Sequence, residues 1–236
     1  MARGTTLLAL LQDFRAEIRA SSNPAHNIAT RETHVRLLQR TQRVLWERVD
    51  WPHLRVSRII DLDAGQRYYS SADDIHIDRL ETVDFMYAGE WCQLAEGIGN
   101  EHLASWNSDL DERSWPVERW ALHEDDMFEI WPIPSQNADD ATLEGKLKLT
   151  GIRNLNPLVD DADTADLDDH LIVLFAAAES LAASGAEDAA LKLRMAEQRF
   201  ADITATQGKK KTFRLFDDKG EGWRPKGPPR VHYRTT

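Results

Sequence analysis

The sequence is poor in cysteine and contains no long apolar run. Its 236 residues include one cysteine, Cys92, which excludes an intrachain disulfide framework and a zinc site built from several cysteines, so the chain suits a reducing compartment. We expect Cys92 to be a small buried hydrophobic residue rather than a reactive thiol. No apolar run approaches the ~20 residues that span a bilayer. The first residues lack the apolar segment of a signal peptide, so we expect neither membrane insertion nor export by that route.

The sequence also lacks the motifs of the common enzyme classes. It holds no P-loop, no Rossmann glycine fingerprint, no His-Glu-x-x-His motif and no Gly-x-Ser-x-Gly elbow. Its eight histidines are scattered and form no i, i+4 pair. The acidic segment 160–169 alternates carboxylates like a Ca²⁺ loop, but it lacks the central glycine and the terminal glutamate, so we interpret it as a helix-capping segment. We therefore expect no enzyme activity, no metal and no cofactor.

Positive charge is scarce except near the C-terminal end. Residues 207–236 carry nine Lys or Arg and three Asp or Glu, a net charge of +6, so the −11 of the whole chain leaves −17 on residues 1–206. Glycines and prolines there disfavour a long helix or a central strand, whereas the aromatic side chains are costly to leave in water. The sequence predicts an extended docking tail that orders on a partner protein and is steered to it by charge. The residues expected to dock are Phe213, Arg214, Leu215, Phe216, Trp223, Arg224, Pro228, Pro229, Arg230, Val231 and Tyr233.

Apolar residues repeat with helical spacing at both ends of the acidic body. The period predicts helices over about 5–20 and 30–49, and two more after Asp166 that are divided at Ser184-Gly185. Because the connection between the last two helices is short, we expect them to be antiparallel, with the N-terminal pair covering their apolar stripes. The predicted bundle core consists of Leu7, Leu11, Phe14, Ile18, Leu38, Leu45, Leu167, Leu171, Leu174, Leu181, Leu193 and Phe200.

Between these helices the hydrophobic period changes to two residues, which is typical of half-buried antiparallel strands. Residues 143–151 alternate in this way, and hairpins are predicted at 83–94 and 117–133, with turns at 88–89 and 124–126. The predicted fold class is α+β. An antiparallel four-helix bundle formed by residues 1–52 and 156–206 carries an inserted antiparallel β domain at 53–155, and the extended C-terminal tail follows at 207–236.

Tryptophan is concentrated in the middle of the chain, where seven of the eight lie between residues 46 and 131. We interpret them as core and intersubunit contacts. One alternative is a carbohydrate-processing site with Glu118, Glu124 or Glu129 as acid and base. Another is a nucleic-acid-binding module that uses the basic tail together with exposed tryptophans.

Five stretches of the sequence resemble tailed-phage head-to-tail adaptor proteins of the tail tubular protein A type. They are TLLALLQDFRAEI at 6–18, LQRTQRVLW at 38–46 running into Asp50-Trp51-Pro52, WALHEDDMFEIWPIP at 120–134, GIRNLNPLV at 151–159 and TADLDDHLIVLFAAAE at 164–179. The resemblance covers most of residues 5–206 and carries no catalytic residues.

The resemblance implies a structural virion protein that is assembled in the host cytoplasm. It implies a homo-oligomeric ring, usually dodecameric, that joins the portal protein to the tail or nozzle protein at the head-to-tail interface. DNA would pass through the centre as cargo during genome ejection. On this hypothesis the tail docks on the portal or on a neighbouring subunit, and acidic residues facing the channel repel the duplex.

Overall fold

The computed structural model describes residues 3–20, 28–72, 74–124 and 126–208. These ranges contain the helices α1 Leu7–Glu17, α2 Ile28–Arg48, α3 Asn100–Leu103, α4 Asp169–Ala183 and α5 Ala189–Gly208. They also contain ten strands: β1 Arg55–Asp61, β2 Tyr68–Ser70, β3 Ile75–Tyr87, β4 Glu90–Gln93, β5 Ala95–Glu96, β6 Arg113–Ser114, β7 Arg119–His123, β8 Met127–Trp131, β9 Ile133–Pro134 and β10 Lys146–Arg153. The four long helices occur where the helical period predicts them, whereas the short α3 has no such period.

In two helices, the side chain of the residue just before the helix determines where the helix begins. The Thr6 hydroxyl accepts a hydrogen bond from the Ala9 amide at 3.4 Å, and the Asp168 carboxylate accepts one from the Leu171 amide at 3.0 Å. Each satisfies an amide that the first turn of a helix leaves without an acceptor. Threonine and aspartate at these positions therefore set where α1 and α4 begin.

The predicted antiparallel four-helix bundle is wrong, although the α+β class is partly right. Helix α4 packs against α1, α2 and α5, but α1 and α2 make little contact with each other and α5 packs mainly on α4. The reason is that the first three turns of α4 are buried nearly all round: besides Leu171 and Leu174 they bury Ile172, Val173 and three alanines. A helix that is apolar on every side takes neighbours on every side instead of contributing one face to a shared bundle seam.

The first hydrophobic cluster is completed by residues outside the helices. Leu54, Ile152, Leu158 and Ala165 are buried in it together with side chains from α1, α2, α4 and α5. Strand and loop residues therefore fill part of the volume that a four-helix bundle would fill with helix side chains alone. The division of the chain into residues 1–52 with 156–206, 53–155 and 207–236 stays a prediction.

The strands form two four-stranded sheets and one two-stranded sheet within the described ranges. Their orders are β1-β10-β3-β4, β2-β8-β7-β5 and β6-β9. Both predicted hairpins are confirmed, as β3–β4 and as β7–β8. The sheets are not wholly antiparallel as expected, because β5 runs parallel to β7 and β6 runs parallel to β9.

A second hydrophobic cluster is built from strands of both four-stranded sheets. Val83, Phe85, Leu147 and Leu149 come from the first sheet, and Trp120, Phe128 and Ile130 come from the second. Strand β10 alternates buried and half-buried side chains along Lys146–Gly151, which agrees with the period of two in the sequence.

Strand β10 belongs to both clusters. Leu147 and Leu149 lie in the second cluster, whereas Ile152, near the end of the same strand, lies in the first. Between them, Gly151 lies at an irregularity in the β10–β3 register, and a Cβ there would lie 2.6 Å from the Arg79 carbonyl oxygen. Only glycine permits that approach of the two strands.

Candidate interaction surfaces

The C-terminal tail that the sequence predicts to dock lies outside the described residues from residue 209 onward. All of the tail residues expected to dock therefore remain predictions. What the structure gives is the anchor point, because α5 leads directly into this segment at Gly208.

Most of the residues predicted for the bundle core are buried, but they do not form a bundle seam. Leu7, Leu11, Phe14, Leu38, Leu45, Leu167, Leu171 and Leu174 are buried, and Ile18, Leu181 and Phe200 are half-buried. Leu193 departs from the expectation, since it is 47% exposed. The cause is that α2 and α5 do not close on each other around α4, so the side of α5 that carries Leu193 faces an open groove.

Asp166 joins the helical part of the chain to the end of β10. Its carboxylate accepts hydrogen bonds from the Arg153 guanidinium, from the Asn156 amide at 2.6 Å and from Asn156 Nδ2 at 3.0 Å. Its own amide donates to Gln42 Oε1 of α2 at 3.3 Å, and its carbonyl oxygen lies 2.9 Å from His53 Nε2. One residue thus connects α2, the short segment just before β1, the end of β10 and the chain that follows it.

Two further carboxylates of the acidic segment, those of Asp163 and Asp168, also bind protein groups. Asp163 accepts from the amides of Val159 and Asp160, both at 2.7 Å, and these hydrogen bonds lower the pKa of its carboxyl group. Asp168 is buried and accepts from Arg199 Nη2 at 2.8 Å in addition to capping α4. Across the described ranges no group of three or more His, Cys, Asp or Glu is arranged to hold a metal ion. The segment orders the loop and the start of α4.

The junction between the helical part and the first sheet also contains a stacked cation. The Arg79 guanidinium lies 4.3 Å from the Trp46 ring centroid, and its Nη1 donates to the Trp46 carbonyl oxygen at 2.8 Å. Trp46 Nε1 donates in turn to the Arg153 carbonyl oxygen at 3.2 Å. These contacts tie α2 to β3 and β10, because cation–π and hydrogen-bond partners come from all three elements.

The tryptophans are mainly core residues. Trp46, Trp51, Trp120 and Trp131 are buried, and Trp115 packs against the second cluster. Trp91 is half-buried with the Lys148 ammonium 4.4 Å from its ring centroid, and Trp106 is exposed. A row of exposed rings, as stacking on sugars or bases requires, does not occur among the described tryptophans.

The three glutamates considered as a sugar acid and base do not converge. Glu129 is held by Arg67, whose Nε lies 2.7 Å from Oε1. Burial tends to lower the pKa of Arg67, but hydrogen bonds to Glu129 and Asp109 outweigh it and raise that pKa above its usual value. Glu118 and Glu124 are exposed at opposite ends of β7, roughly 20 Å apart at 3.4 Å per residue, far beyond the spacing of a glycosidase pair.

Cys92 is exposed, which contradicts the expectation of a buried residue. It lies on β4, the edge strand of the first sheet, and pairs with Phe85 in the register. Because β4 is paired on one side only, three of its four residues, Cys92 among them, are exposed.

Exposed apolar side chains mark the outer surface of the helical part. Leu191 and Met195, four residues apart on α5, are 53% and 43% exposed, and we call them the α5 stripe. Leu8 and Val159 are also exposed, and the Leu8 amide donates to the carbonyl oxygen of Asp161, two residues after Val159, at 3.2 Å. We call these two the Leu8 patch. Exposed apolar patches of this kind are typical of protein–protein contacts.

None of the described helices combines the length and the apolar character that crossing a bilayer needs.

Comparison with known proteins places the chain in a family. A family model described as SU10 adaptor protein matches residues 5–215. The matched range includes both hydrophobic clusters, all of the helices and strands described above, and the first residues after α5. No curated protein matches the chain.

Proposed function

We propose a role at the junction of head and tail, on the premise that this chain belongs to the SU10 adaptor protein family, a family of phage head-to-tail adaptors. The observation that carries the proposal is the extent of the match, residues 5–215, which leaves no described element outside it. As a member of that family the protein is a phage adaptor and a structural component of the virion.

The adaptor acts as a dodecameric ring between the portal and the tail. A closed ring needs head-to-tail contacts, in which each copy offers two different surfaces to its neighbours. The α5 stripe and the Leu8 patch are two separate apolar surfaces of the helical part, and they support such an arrangement. The strongly acidic composition of residues 1–206 supports a channel that DNA crosses without adhering, because like charges repel.

The tail joins the ring to the portal. Its aromatic residues supply the anchors that dominate protein interfaces, and its basic residues raise the rate of encounter with an acidic surface. Substituting Phe216 or Trp223 by alanine in the full chain is expected to abolish the joining of filled heads to tails in an in vitro assembly assay. The matched substitution Lys210→Ala is expected to slow joining mainly at low salt, where steering is not screened, since it removes steering but no anchor.

Electron microscopy tests the ring directly. Negative-stain images of the full chain mixed with the portal of the same phage are expected to show a twelvefold ring on the portal vertex. The substitution Met195→Glu is expected to remove the ring, whereas Leu122→Glu, at a half-exposed position on β7, is expected to leave it intact. Heads that carry the protein without any ring would reject the proposed role. Rings that still form with Met195→Glu would reject the proposed contact through the α5 stripe.

The alternative of a nucleic-acid-binding module makes a different prediction for the same protein. It requires salt-dependent binding of duplex DNA by the isolated chain through the basic tail. The structure offers it no row of exposed aromatic rings within the described residues, so the tail would have to supply the whole site. Tight duplex binding by the isolated chain, with no association with portal, would favour this alternative over the adaptor ring.

A further inference from the structure

The first sheet ends in two strands whose outer edges are open. Within the described ranges, β1 pairs only with β10 and β4 pairs only with β3. Five of the seven residues of β1 and three of the four residues of β4 are exposed. An open edge of this kind carries a row of backbone N–H and C=O groups that can pair with another extended strand.

Length distinguishes these edges from those of the other sheets. The edge strands of the second sheet, β2 and β5, have three and two residues, and β6 and β9 have two each. Short edge strands are one way in which proteins prevent unwanted pairing. By contrast, β1 has seven residues in continuous register with β10 and contains neither proline nor glycine. Its central charge does not block the edge, because Arg58 is paired with Asp74, Nε lying 3.1 Å from Oδ1.

The hydrogen bonds of the β3–β4 hairpin show which backbone groups of β4 point outward. The Leu94 amide, just after β4, donates to the Val83 carbonyl oxygen of β3 at 2.9 Å. Hydrogen-bonded and non-hydrogen-bonded pairs alternate along an antiparallel ladder, so the even-numbered residues of β4 bond to β3. The backbone groups of Trp91 and Gln93 therefore face the open edge.

The same alternation continues across the sheet to β1. The odd-numbered residues of β3 bond to β4, so its even-numbered residues bond to β10. Lys148, opposite Asp84, thus bonds to β3, and its other neighbour Ile59 has its backbone groups on the open edge. Ser57, two residues away, faces the same way, and its carbonyl oxygen accepts a hydrogen bond from the exposed Arg58 side chain at 3.1 Å. A carbonyl oxygen has two lone pairs, so an acceptor site remains for another strand.

The outward groups of the two edges match each other in direction and in phase. Three antiparallel steps separate β1 from β4, so the two strands run in opposite directions. A second copy placed beside the first in the same orientation therefore brings its β4 antiparallel to β1. With Ile59 opposite Trp91 and Ser57 opposite Gln93 of the second copy, each pair exchanges two backbone hydrogen bonds, about four in all.

The side chains also match in this register. Ile60 packs on the second cluster, so Ile59 lies on the opposite, outer face of the sheet. Trp91 lies on that face too, because its neighbour Cys92 pairs with the buried Phe85. Ile59 is 53% exposed and Trp91 is half-buried, and cross-strand pairs of β-branched and aromatic residues stabilise sheets. We propose that β1 of one copy pairs with β4 of a second copy, so that the first sheet continues from copy to copy.

Charge disfavours the pairing of two β1 strands with each other. An overlap of all seven residues places Arg58 opposite Arg58, and like charges directly opposite each other destabilise a sheet. The pairing of β1 with β4 avoids this contact. It joins two different surfaces, so it is a head-to-tail contact that leaves a free edge at each end of a row of copies. Only the closure of such a row into a ring rests on the proposed adaptor function, and the contact between the edges does not.

A disulfide between copies tests the pairing. In the proposed register Arg58 lies opposite Cys92 of the second copy in a non-hydrogen-bonded pair, where the Cα atoms are about 4.5 Å apart and a disulfide can form. The variant Arg58→Cys, which keeps the native Cys92, is oxidised as the full chain, alone and with the portal of the same phage. Within one copy β1 and β4 are three strand spacings apart, about 14 Å, so this disulfide cannot form inside a chain. We expect a ladder of disulfide-linked oligomers on a non-reducing gel.

The matched control is Ser57→Cys, at the neighbouring position on the same strand. Its side chain lies on the other face of the sheet from Cys92, so we expect its linkage to form at least about tenfold more slowly. Adding Cys92→Ser to the Arg58→Cys variant is expected to abolish the ladder. Ser57 and Arg58 are both exposed, so these variants are expected to keep the Tm of the parent.

Several outcomes would overturn the proposal. A disulfide-linked dimer of Arg58→Cys that persists without Cys92 would assign β1 to β1 of the second copy. A disulfide-linked dimer of the unsubstituted chain would assign β4 to β4. Equal rates for Arg58→Cys and Ser57→Cys, or no linkage either alone or with the portal, would remove the contact altogether.

The same experiment separates this inference from the adaptor function. A ring on the portal whose copies do not crosslink through Arg58→Cys would leave the adaptor function standing and remove the edge pairing. A ladder of linked copies without any ring on the portal would do the reverse.

Discussion

Replacing Asp166 by alanine tests how the helical part and the sheets are joined. The carboxylate is 7% exposed and accepts hydrogen bonds from Arg153 and from two nitrogens of Asn156. Its removal leaves a guanidinium and a backbone amide without these acceptors. Removing one partner of a buried ion pair costs about 3–5 kcal/mol, and because the Arg153 side chain is 23% exposed we expect the lower end, about 3 kcal/mol.

Urea unfolding followed by tryptophan fluorescence measures this loss. Asp166→Asn retains one oxygen acceptor but no charge, so we expect it to lose about half as much, ~1.5 kcal/mol. The matched control is Asp161→Ala, which breaks an exposed ion pair with Arg31 and is expected to lose less than about 1 kcal/mol. A loss below about 1 kcal/mol for Asp166→Ala, or equal losses for the alanine and asparagine variants, would refute the reasoning.

Three further predictions concern the same region. Asp168→Ala removes both the α4 cap and the partner of Arg199, so we expect a loss of about 2–3 kcal/mol in urea titrations. Asp168→Asn keeps the cap and is expected to lose about 1 kcal/mol; equal losses would argue against the cap. Gly151→Ala places a Cβ 2.6 Å from the Arg79 carbonyl oxygen, and we expect a loss of about 2 kcal/mol, or ~5 °C in Tm; an unchanged Tm would contradict the close approach. Burial lowers the pKa of His53 below 6.5, so the unfolded chain binds more protons there and the unfolding free energy is expected to fall as pH drops through 6.5. In thermal melts at a series of pH values, the unfolding free energy of His53→Gln is expected to fall less steeply with decreasing pH than that of the parent. An identical slope for the two proteins would exclude burial of His53 as the cause of the fall.

The helices were predictable because their apolar residues repeat at helical spacing and their ends carry capping residues. In the structure, α1 begins just after Thr6, and α4 ends just before Ser184-Gly185. The hairpins were predictable because alternation in 83–94 and 117–133 is interrupted by short turn segments. These signals are local, and the sequence contains them in full.

The arrangement of the helices was not predicted, although one signal for it was present. The eight residues from Leu171 to Ala178 are apolar without interruption, which indicates a helix that is buried on all sides rather than on one stripe. The exposure of Leu193 has no such signal, because it follows from the groove that α2 and α5 leave open between them. The partners of Asp166 and Asp168 are also set by packing, since Arg199 lies 31 residues from the carboxylate that it binds.

The shared strand β10 determines how a mechanical load would pass through the subunit. It is a central strand, paired with β1 on one side and β3 on the other, and it enters the helical cluster at Ile152. A force that pulls the helices away from the sheet along β10 acts parallel to the strand. The hydrogen bonds of an antiparallel pair run perpendicular to the strands, so they also lie perpendicular to this force. Those bonds would be sheared together rather than peeled apart one after another. The subunit is therefore expected to transmit tension between its two parts as a stiff element and to resist extension most strongly along β10.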